Sequence, residues 1–434
     1  VSPTFNELGV PTRLVARLEQ QGVVNPFPIQ VATIPDALAG RDVCGKAPTG
    51  SGKTIAFAIA VLGAATGSLP RRPRALVLVP TRELAGQVQT EIARLAGGHG
   101  KRTIAVYGGT GYRTTRSALD RGVDIVVACP GRLEDLLAQG ALSLGDVRAV
   151  VLDEADRMAD MGFLPAVRRL LDQTSPERQV LLFSATFSKE VEAIVTRYQR
   201  HPVRHDVQPD ASSVGEVTHV FWQAEHSDRV RLTARLVNQH GKAIIFCRTR
   251  RGADRVARQL GQTGVQAVAI HGDRTQAQRE RALTAFAHGR ADVLVATDVA
   301  ARGIHVEDLP CVVHFDPPAD ATDYLHRSGR TGRAGNSGTV VSLVMSEQQA
   351  TVRHIQRDLG LPQRVDNPDE TPKPPLATAR IAAAGTVVRV GRSDRPRHPR
   401  PKGKNQRSNR RRMEATREAR RGPVGNEAAR SARS

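Results

Sequence analysis

Aromatic residues are scarce in this chain: 10 Phe, 4 Tyr and 1 Trp make 3% of 434 residues. So few rings argue against any grip on a ligand built mainly from stacking platforms. Cysteine is equally sparse. Cys44, Cys129, Cys247 and Cys311 lie far apart, without the spacing of a metal site or a disulfide framework. Each sits in or beside an apolar run, which reads as small buried residues in a reducing compartment. No stretch of ~18 apolar residues is available to cross a bilayer, and no secretory hydrophobic region stands near residue 1. A cytoplasmic location and no membrane partner are therefore expected. Acidic residues are also in deficit, 43 against 63 Lys and Arg, for a net charge of +20. Residues 372–434 hold 18 of those basic residues against 4 acidic ones, and so carry +14. A body near charge balance with a basic tail points to a polyanionic partner reached partly through a flexible arm.

The stretch around which the chain is organised is Ala47-Pro48-Thr49-Gly50-Ser51-Gly52-Lys53-Thr54. A short apolar strand precedes it, and residues 55–62 are apolar enough for a buried helix. Strand, glycine-rich turn, Gly-Lys-Thr and helix is the context of a phosphate-binding loop. The glycines let backbone N–H groups close around phosphate oxygens, and the helix N-terminus favours negative charge. Thr49, Gly50, Ser51, Gly52, Lys53 and Thr54 are thus candidate nucleotide-binding residues. Lys53 is placed to reach the β- and γ-phosphates, and the Thr54 hydroxyl to hold Mg²⁺.

Strand-length apolar runs at 75–79, 104–107, 125–128, 150–152 and 180–183 are continuous rather than alternating, as in a parallel sheet buried on both faces. Helical stretches at 83–95, 131–138 and 189–198 separate or follow them, giving a βαβα order. The pattern pauses at 201–215, which holds Pro202, Pro209 and a Ser-Ser pair. It resumes with strands at 217–222, 243–246, 267–270, 293–296, 311–314 and 339–344, and helices at 228–238, 252–260 and 276–287. The second half has no Gly-Lys-Thr, so it is not expected to bind a nucleotide of its own. The expected fold is α/β, with two tandem parallel-sheet domains at 1–204 and 216–366, a linker at 205–215 and a tail from 367. The tail is too poor in apolar residues to offset its ordering entropy, apart from a short helix near 413–420.

Val150-Val151-Leu152-Asp153-Glu154-Ala155-Asp156 is the second anchor. An apolar strand ending in acids puts carboxylates at the carboxyl edge of a parallel sheet, where α/β proteins bind ligands. Asp153 is then placed to hold Mg²⁺, and Glu154 to orient and deprotonate an attacking water.

With these two motifs, Ser184-Ala185-Thr186 and His326-Arg327-Ser328-Gly329-Arg330-Thr331-Gly332-Arg333 follow in order. The set resembles the DEAD-box RNA helicases of superfamily 2, over residues 5–344. Pro26-Phe27-Pro28-Ile29-Gln30 and the short basic tail look most like the bacterial RhlE-type branch. The resemblance implies two RecA-like domains, with ATP and Mg²⁺ as cofactors. It casts Gln30 as the residue that reads the adenine edge, Phe5 as the upstream aromatic of the nucleotide site, and Asp298 and His305 as further nucleotide contacts. Arg330 and Arg333, one helical turn apart, would act as arginine fingers. Asp156, Ser184, Thr186 and His326 would couple hydrolysis to duplex opening. Thr81, Arg82, Gly109, Pro130 and Arg132 in the first domain, and Gln276, Arg279 and Thr297 in the second, would contact an RNA backbone. Such contacts leave bases unread, so binding is expected to be salt-sensitive and largely sequence-independent.

Three residues depart from the family pattern. Val23 stands where relatives carry an aromatic, Cys129 replaces a Thr before Pro130, and His305 replaces an Asp. Altered nucleotide affinity, with activity kept, is expected from them. The resulting expectation is an ATP-dependent RNA helicase that opens short duplexes locally, with ribosomal or RNA-decay partners possible. A DNA helicase of the same superfamily and an ATP-switched RNA chaperone or clamp stand as alternatives.

Overall fold

The apolar runs form two all-parallel sheets in the computed structural model. The structure describes residues 3–48, 50–97, 102–207, 216–301, 306, 309–332 and 336–370, with the short segments 380–381 and 387–388. Residues 1–390 form one unit that holds both sheets, and residues 391–434 form another, which lies outside the described residues.

Seven strands build the first sheet: β1 (Val43–Lys46), β2 (Ala75–Leu78), β3 (Thr103–Val106), β4 (Ile125–Ala128), β5 (Ala149–Leu152), β6 (Gln179–Ser184) and β7 (Val203–Asp206). Their spatial order is β3-β4-β2-β5-β6-β1-β7. Successive side chains point to opposite faces, and the burial follows that alternation. Val77, Val127 and Val151 enter one core, while Leu76, Leu78, Val126 and Val150 enter the other. Among the described residues nine helices cover the two faces: α1 (Thr12–Gln20), α2 (Pro28–Leu38), α3 (Lys53–Ala64), α4 (Arg82–Ala96), α5 (Tyr112–Asp120), α6 (Pro130–Ala138), α7 (Ala155–Asp160), α8 (Leu164–Leu171) and α9 (Lys189–Tyr198). Their starts carry local signals. Thr81 and Ser188 cap α4 and α9 through their hydroxyls, and Pro28 and Pro130 occupy first-turn positions, where a missing N–H costs nothing.

The second sheet holds β8 (Val217–Gln223), β9 (Ala243–Phe246), β10 (Ala267–Ile270), β11 (Val293–Ala296), β12 (Cys311–His314) and β13 (Gly338–Val344), in the order β10-β11-β9-β12-β13-β8. It is flanked by α10 (Arg229–His240), α11 (Arg250–Gln262), α12 (Gln276–Ala287), α13 (Asp298–Ala301), α14 (Ala321–Ser328) and α15 (Gln349–Asp358). Ile244 and Phe246 face one core and Ile245 the other.

Two boundaries need correction. Val203–Asp206, assigned in part to the linker, pairs in register with β1 as the sheet's edge strand. Residues 367–370 belong to the second sheet's surroundings, because Arg231 and Arg235 both bind the Asp369 carboxylate. In the basic tail, the short segments β14 (Arg380–Ile381) and β15 (Val387–Val388) pair antiparallel. The helix expected near 413–420 lies outside the described residues.

Candidate nucleotide and nucleic-acid site

In a parallel sheet every strand delivers its following loop to the same edge. The central order β2-β5-β6-β1 therefore sets four loops side by side, each about 4.8 Å from the next. These loops carry Thr81, Asp153 to Asp156, Ser184 to Thr186, and the glycine-rich segment. A cavity of about 310 Å³ opens there, walled by Gly50, Gly52, Lys53, Thr54, Asp153 and Glu154, with Leu84, Gln87, Val88 and Glu91 of α4 opposite.

Gly50 and Gly52 hold φ of +80° and +86°, a region where a side chain is strained. Lys53 is buried, and its Nζ donates to the carbonyls of Ala47 (2.9 Å) and Pro48 (2.7 Å), which braces the loop from within. Ser51 Oγ also donates to Pro48 O, at 2.8 Å. Thr49 lies outside the described residues.

Gln30 is fully buried, and both ends of its amide are engaged. Oε1 accepts from the Phe27 N–H at 2.8 Å, and Nε2 donates to Gly52 O at 2.9 Å. Instead of standing open to a base, it ties the start of α2 to the phosphate loop. Phe5 is 2% exposed and packs in the core of the first sheet, away from the cavity wall.

Asp153 is 3% exposed. Burial pushes its carboxyl up to about 7, against the pull of the Lys53 ammonium. Its Oδ1 accepts from the Glu154 N–H at 3.0 Å. Glu154 sits in the left-handed region at φ 53°, one of only three such non-glycine residues among those described. That conformation costs about 1–2 kcal/mol and is typical of residues held for a purpose. Arg157 Nη1 donates to Glu154 Oε2 at 2.6 Å, in a pair largely shielded from water.

Asp156 binds the loop after β6. Its Oδ2 accepts from the N–H of Ala185 (3.1 Å), the N–H of Thr186 (2.9 Å) and the Thr186 hydroxyl (3.1 Å). In return its own N–H donates to Ser184 Oγ, at 3.1 Å. The sequence brings these residues together as expected, 28 to 30 positions apart.

Of the expected backbone-binding residues, Thr81 caps α4, and the Arg82 guanidinium lies against Gly108 and Gly109. Gly109 also borders Cβ of Gln276, from the second half of the chain. Pro130 is buried at the start of α6, and Arg132 Nη2 donates to Thr110 O at 2.9 Å. Thr297 is buried, and its carbonyl receives the N–H groups that open α13. Arg279, expected on an RNA, is instead buried against Glu83, with Nε donating to Oε1 at 2.6 Å. Burial lifts the Cys129 thiol to about 12, so it is neutral at physiological pH.

In the second sheet, Arg327 forks onto Asp298, with bonds of 2.6 and 2.7 Å, and donates to Asp316 O at 2.7 Å. Asp298 is thus committed to an arginine in this structure. Arg330 is buried at the turn after α14, His326 is exposed on that helix, and neither lines the cavity. Arg333 and His305 lie outside the described residues. Arg157, Arg327 and Glu83 were not singled out from the sequence. The i,i+3 spacing of Glu154 and Arg157 is a readable pairing signal; the Glu83–Arg279 pair spans 196 positions and leaves none.

The chain matches the DEAD/DEAH box helicase family over residues 27–194 and the helicase conserved C-terminal domain over residues 228–335. It is 41% identical over 364 residues to DEAD-box ATP-dependent RNA helicase 9 of Oryza sativa subsp. japonica, covering 82% of this chain and 57% of that one. It is 38% identical over 409 residues to DEAD-box ATP-dependent RNA helicase 30 of Arabidopsis thaliana, covering 92% and 67%. Among solved structures, S. cerevisiae Dbp5 bound to RNA and ADP BeF3 matches with a TM-score of 0.70 at 26% identity, over 82% of this chain and 93% of that one. The chain spans only part of the length of these plant relatives, 57% in the rice case.

Proposed function

We propose, from the premise that this chain belongs to the DEAD/DEAH box helicase family, that it is an RNA-stimulated ATPase which remodels short RNA duplexes. One observation carries the reading: the β2-β5-β6-β1 order gathers Lys53, Asp153, Glu154 and the Asp156–Thr186 lock on one edge of one sheet.

In this reading residues 1–204 and 216–366 act as two domains. The glycine-rich loop receives the triphosphate, and Lys53 exchanges its bonds to Ala47 and Pro48 for phosphate oxygens. Glu154 orients the attacking water once Arg157 releases it. Arg330 and Arg333 reach the γ-phosphate only after the domains close, so hydrolysis waits for assembly. The Asp156–Ser184–Thr186 bonds carry the state of the acidic loop to the strand-opening face. Thr81, Arg82, Gly109, Pro130 and Arg132, with Gln276, Arg279 and Thr297, hold the RNA backbone. Arg279 leaves Glu83 to do so.

The residues fit Mg²⁺. Among the described residues no group of three or more His, Cys, Asp or Glu gathers as a metal cage. Mg²⁺ is commonly held by one or two protein oxygens plus phosphates and water. The buried, desolvated Asp153 carboxyl and the Thr54 hydroxyl on the same cavity wall supply such a set. Asp153 and Thr54 would hold the ion there, where it would neutralise phosphate charge. No helix among the described residues is long and apolar enough to cross a membrane. The four cysteines are free and three of them, Cys44, Cys247 and Cys311, are buried, which supports a cytoplasmic setting. The Pro26–Gln30 stretch supports an RhlE-like subtype, and ribosomal or RNA-decay assemblies are the partners that subtype suggests.

Steady-state ATP hydrolysis with and without single-stranded RNA, at two salt concentrations and with Lys53→Ala as blank, tests the function. Stimulation by RNA that fades with salt and exceeds that by matched DNA is expected. Equal stimulation by DNA overturns the RNA assignment, and turnover unaffected by Lys53→Ala overturns the site.

A further inference from the structure

We infer that Tyr112 is a positioning residue for the nucleic-acid backbone, acting by holding the guanidinium of Arg132 flat beneath its ring. The inference rests on the RNA reading of this face. Arg132 Cζ lies 3.3 Å from the centroid of the Tyr112 ring, as in a face-on cation–π stack. A second restraint is a hydrogen bond, Arg132 Nη2 donating to Thr110 O at 2.9 Å. Arg132 Nε is buried without a hydrogen-bond partner, so the side chain is held in place although one of its donors is unsatisfied.

Tyr112 itself is 38% exposed, in a chain where aromatics are few. It opens α5 after Gly111, next to the Gly108-Gly109-Thr110 loop, whose glycines lie against the Arg82 guanidinium. On the same helix Arg113 and Arg116 are exposed, and among the described residues neither has an ion-pair partner. The face therefore presents cations to solvent around one ring.

The physical gain is pre-organisation. An arginine on a surface loses side-chain freedom when it meets a phosphate, and one already pinned between a ring and a carbonyl loses less. The stack covers one face of the guanidinium, Nε is buried and Nη2 is bonded to Thr110, so Nη1 is the nitrogen offered to phosphate oxygens. The Tyr112 hydroxyl contributes little, since its bond to Asp135 Oδ2 is long at 3.4 Å. The ring is what matters.

The test uses the full chain and a fluorescently labelled single-stranded oligouridine. Affinity is read by anisotropy over a salt series, and RNA-stimulated ATPase in parallel. Tyr112→Ala is expected to raise both the RNA Kd and the RNA needed for half-maximal ATPase by about three- to tenfold, with the maximal rate retained. Tyr112→Phe is expected to stay within about twofold of wild type, because the ring is kept. Arg132→Ala should weaken binding and lower the salt slope by about one. Adding Tyr112→Ala to Arg132→Ala should then cost nothing more. Full additivity of the two changes would mean that the ring touches RNA directly, and overturns the positioning role. Wild-type affinity in Tyr112→Ala overturns it as well, while a normal effect of Arg132→Ala leaves the RNA reading standing. Failure of wild type to bind RNA overturns both.

Discussion

Glu83 on α4 and Arg279 on α12 meet as a shielded ion pair, Nε to Oε1 at 2.6 Å, with 4% and 11% of their side chains exposed. Removing one partner of such a pair strands the other charge away from water, at a cost of about 3–5 kcal/mol. Glu83→Gln and Arg279→Met are each expected to lower the urea midpoint strongly, and the double variant to recover part of the loss. Strict additivity of the two in denaturation would show that the pair is not coupled.

Asp153 gives the first half of the chain an unusual pH response. Its folded carboxyl titrates near 7, above the ordinary 3.8, because burial disfavours the charge. The native state thus holds a proton that the unfolded chain has lost, and stability falls as pH rises from about 4 to 7, by about 1.4 kcal/mol per unit at most. Asp153→Asn should flatten that slope and stabilise the ligand-free protein at pH 8. A thermal-unfolding series in chelator from pH 5 to 8 checks it.

The second sheet should respond in the opposite sense. His219 Nδ1 contacts Tyr324 Oη at 2.8 Å and His314 Nδ1 contacts Ser342 Oγ at 3.0 Å, and Nε2 of both is buried without a partner. Burial lowers His219 to about 4 and His314 well below 6.5. The unfolded chain takes up protons first on acidification, so stability is present above 6.5 and drains away as pH falls toward 4. His219→Asn combined with His314→Asn should be less stable at pH 7.5 yet lose less between pH 6.5 and 4.5, as followed by the fluorescence of Trp222.

A methyl group at Gly52 would meet Gln30 Nε2 at 2.5 Å, and the backbone there holds φ +86°. Gly52→Ala should therefore displace Gln30 and distort the loop, raising the ATP KM at least about tenfold, a step of ~1.4 kcal/mol. Gln30→Ala in the same background should add little. If both changes act independently on KM, the Gln30–Gly52 bond has no role in shaping the site.

Asp156→Ala removes the acceptor of three bonds to Ala185 and Thr186. Duplex unwinding is expected to fall by more than tenfold while ATP hydrolysis falls less, since Lys53 and Glu154 remain; about 1.4 kcal/mol per tenfold sets the scale. Equal losses in both assays would remove the coupling role.

Much of this is legible in the sequence. Strands buried on both faces are written as unbroken apolar runs, so β2, β4, β6, β9, β11 and β12 fell where the runs lay. The glycine-rich loop and the acidic loop announce themselves by spacing. β7 was missed because its Val-Arg-His-Asp sequence alternates partly buried and exposed residues at a sheet edge, and carries no apolar run. α7 has six residues and begins inside the acidic motif, too short to show a helical period. Within the site, Gln30 could be located but not its partners. Hydrogen bonds to Gly52 and Phe27, like the pair Glu83–Arg279, are products of chain packing and leave no periodic trace.

The two bonds of Gln30 carry a consequence for selectivity. An amide has one carbonyl and one amino end, and here each is already spoken for, by Phe27 and by Gly52. Each end still has one position open, a second lone pair on Oε1 and a second N–H on Nε2. If a nucleobase takes them, as proposed, it shares the amide with backbone groups on both sides, one of them a single residue before Lys53. Fit at the base would then be felt as tension in the loop.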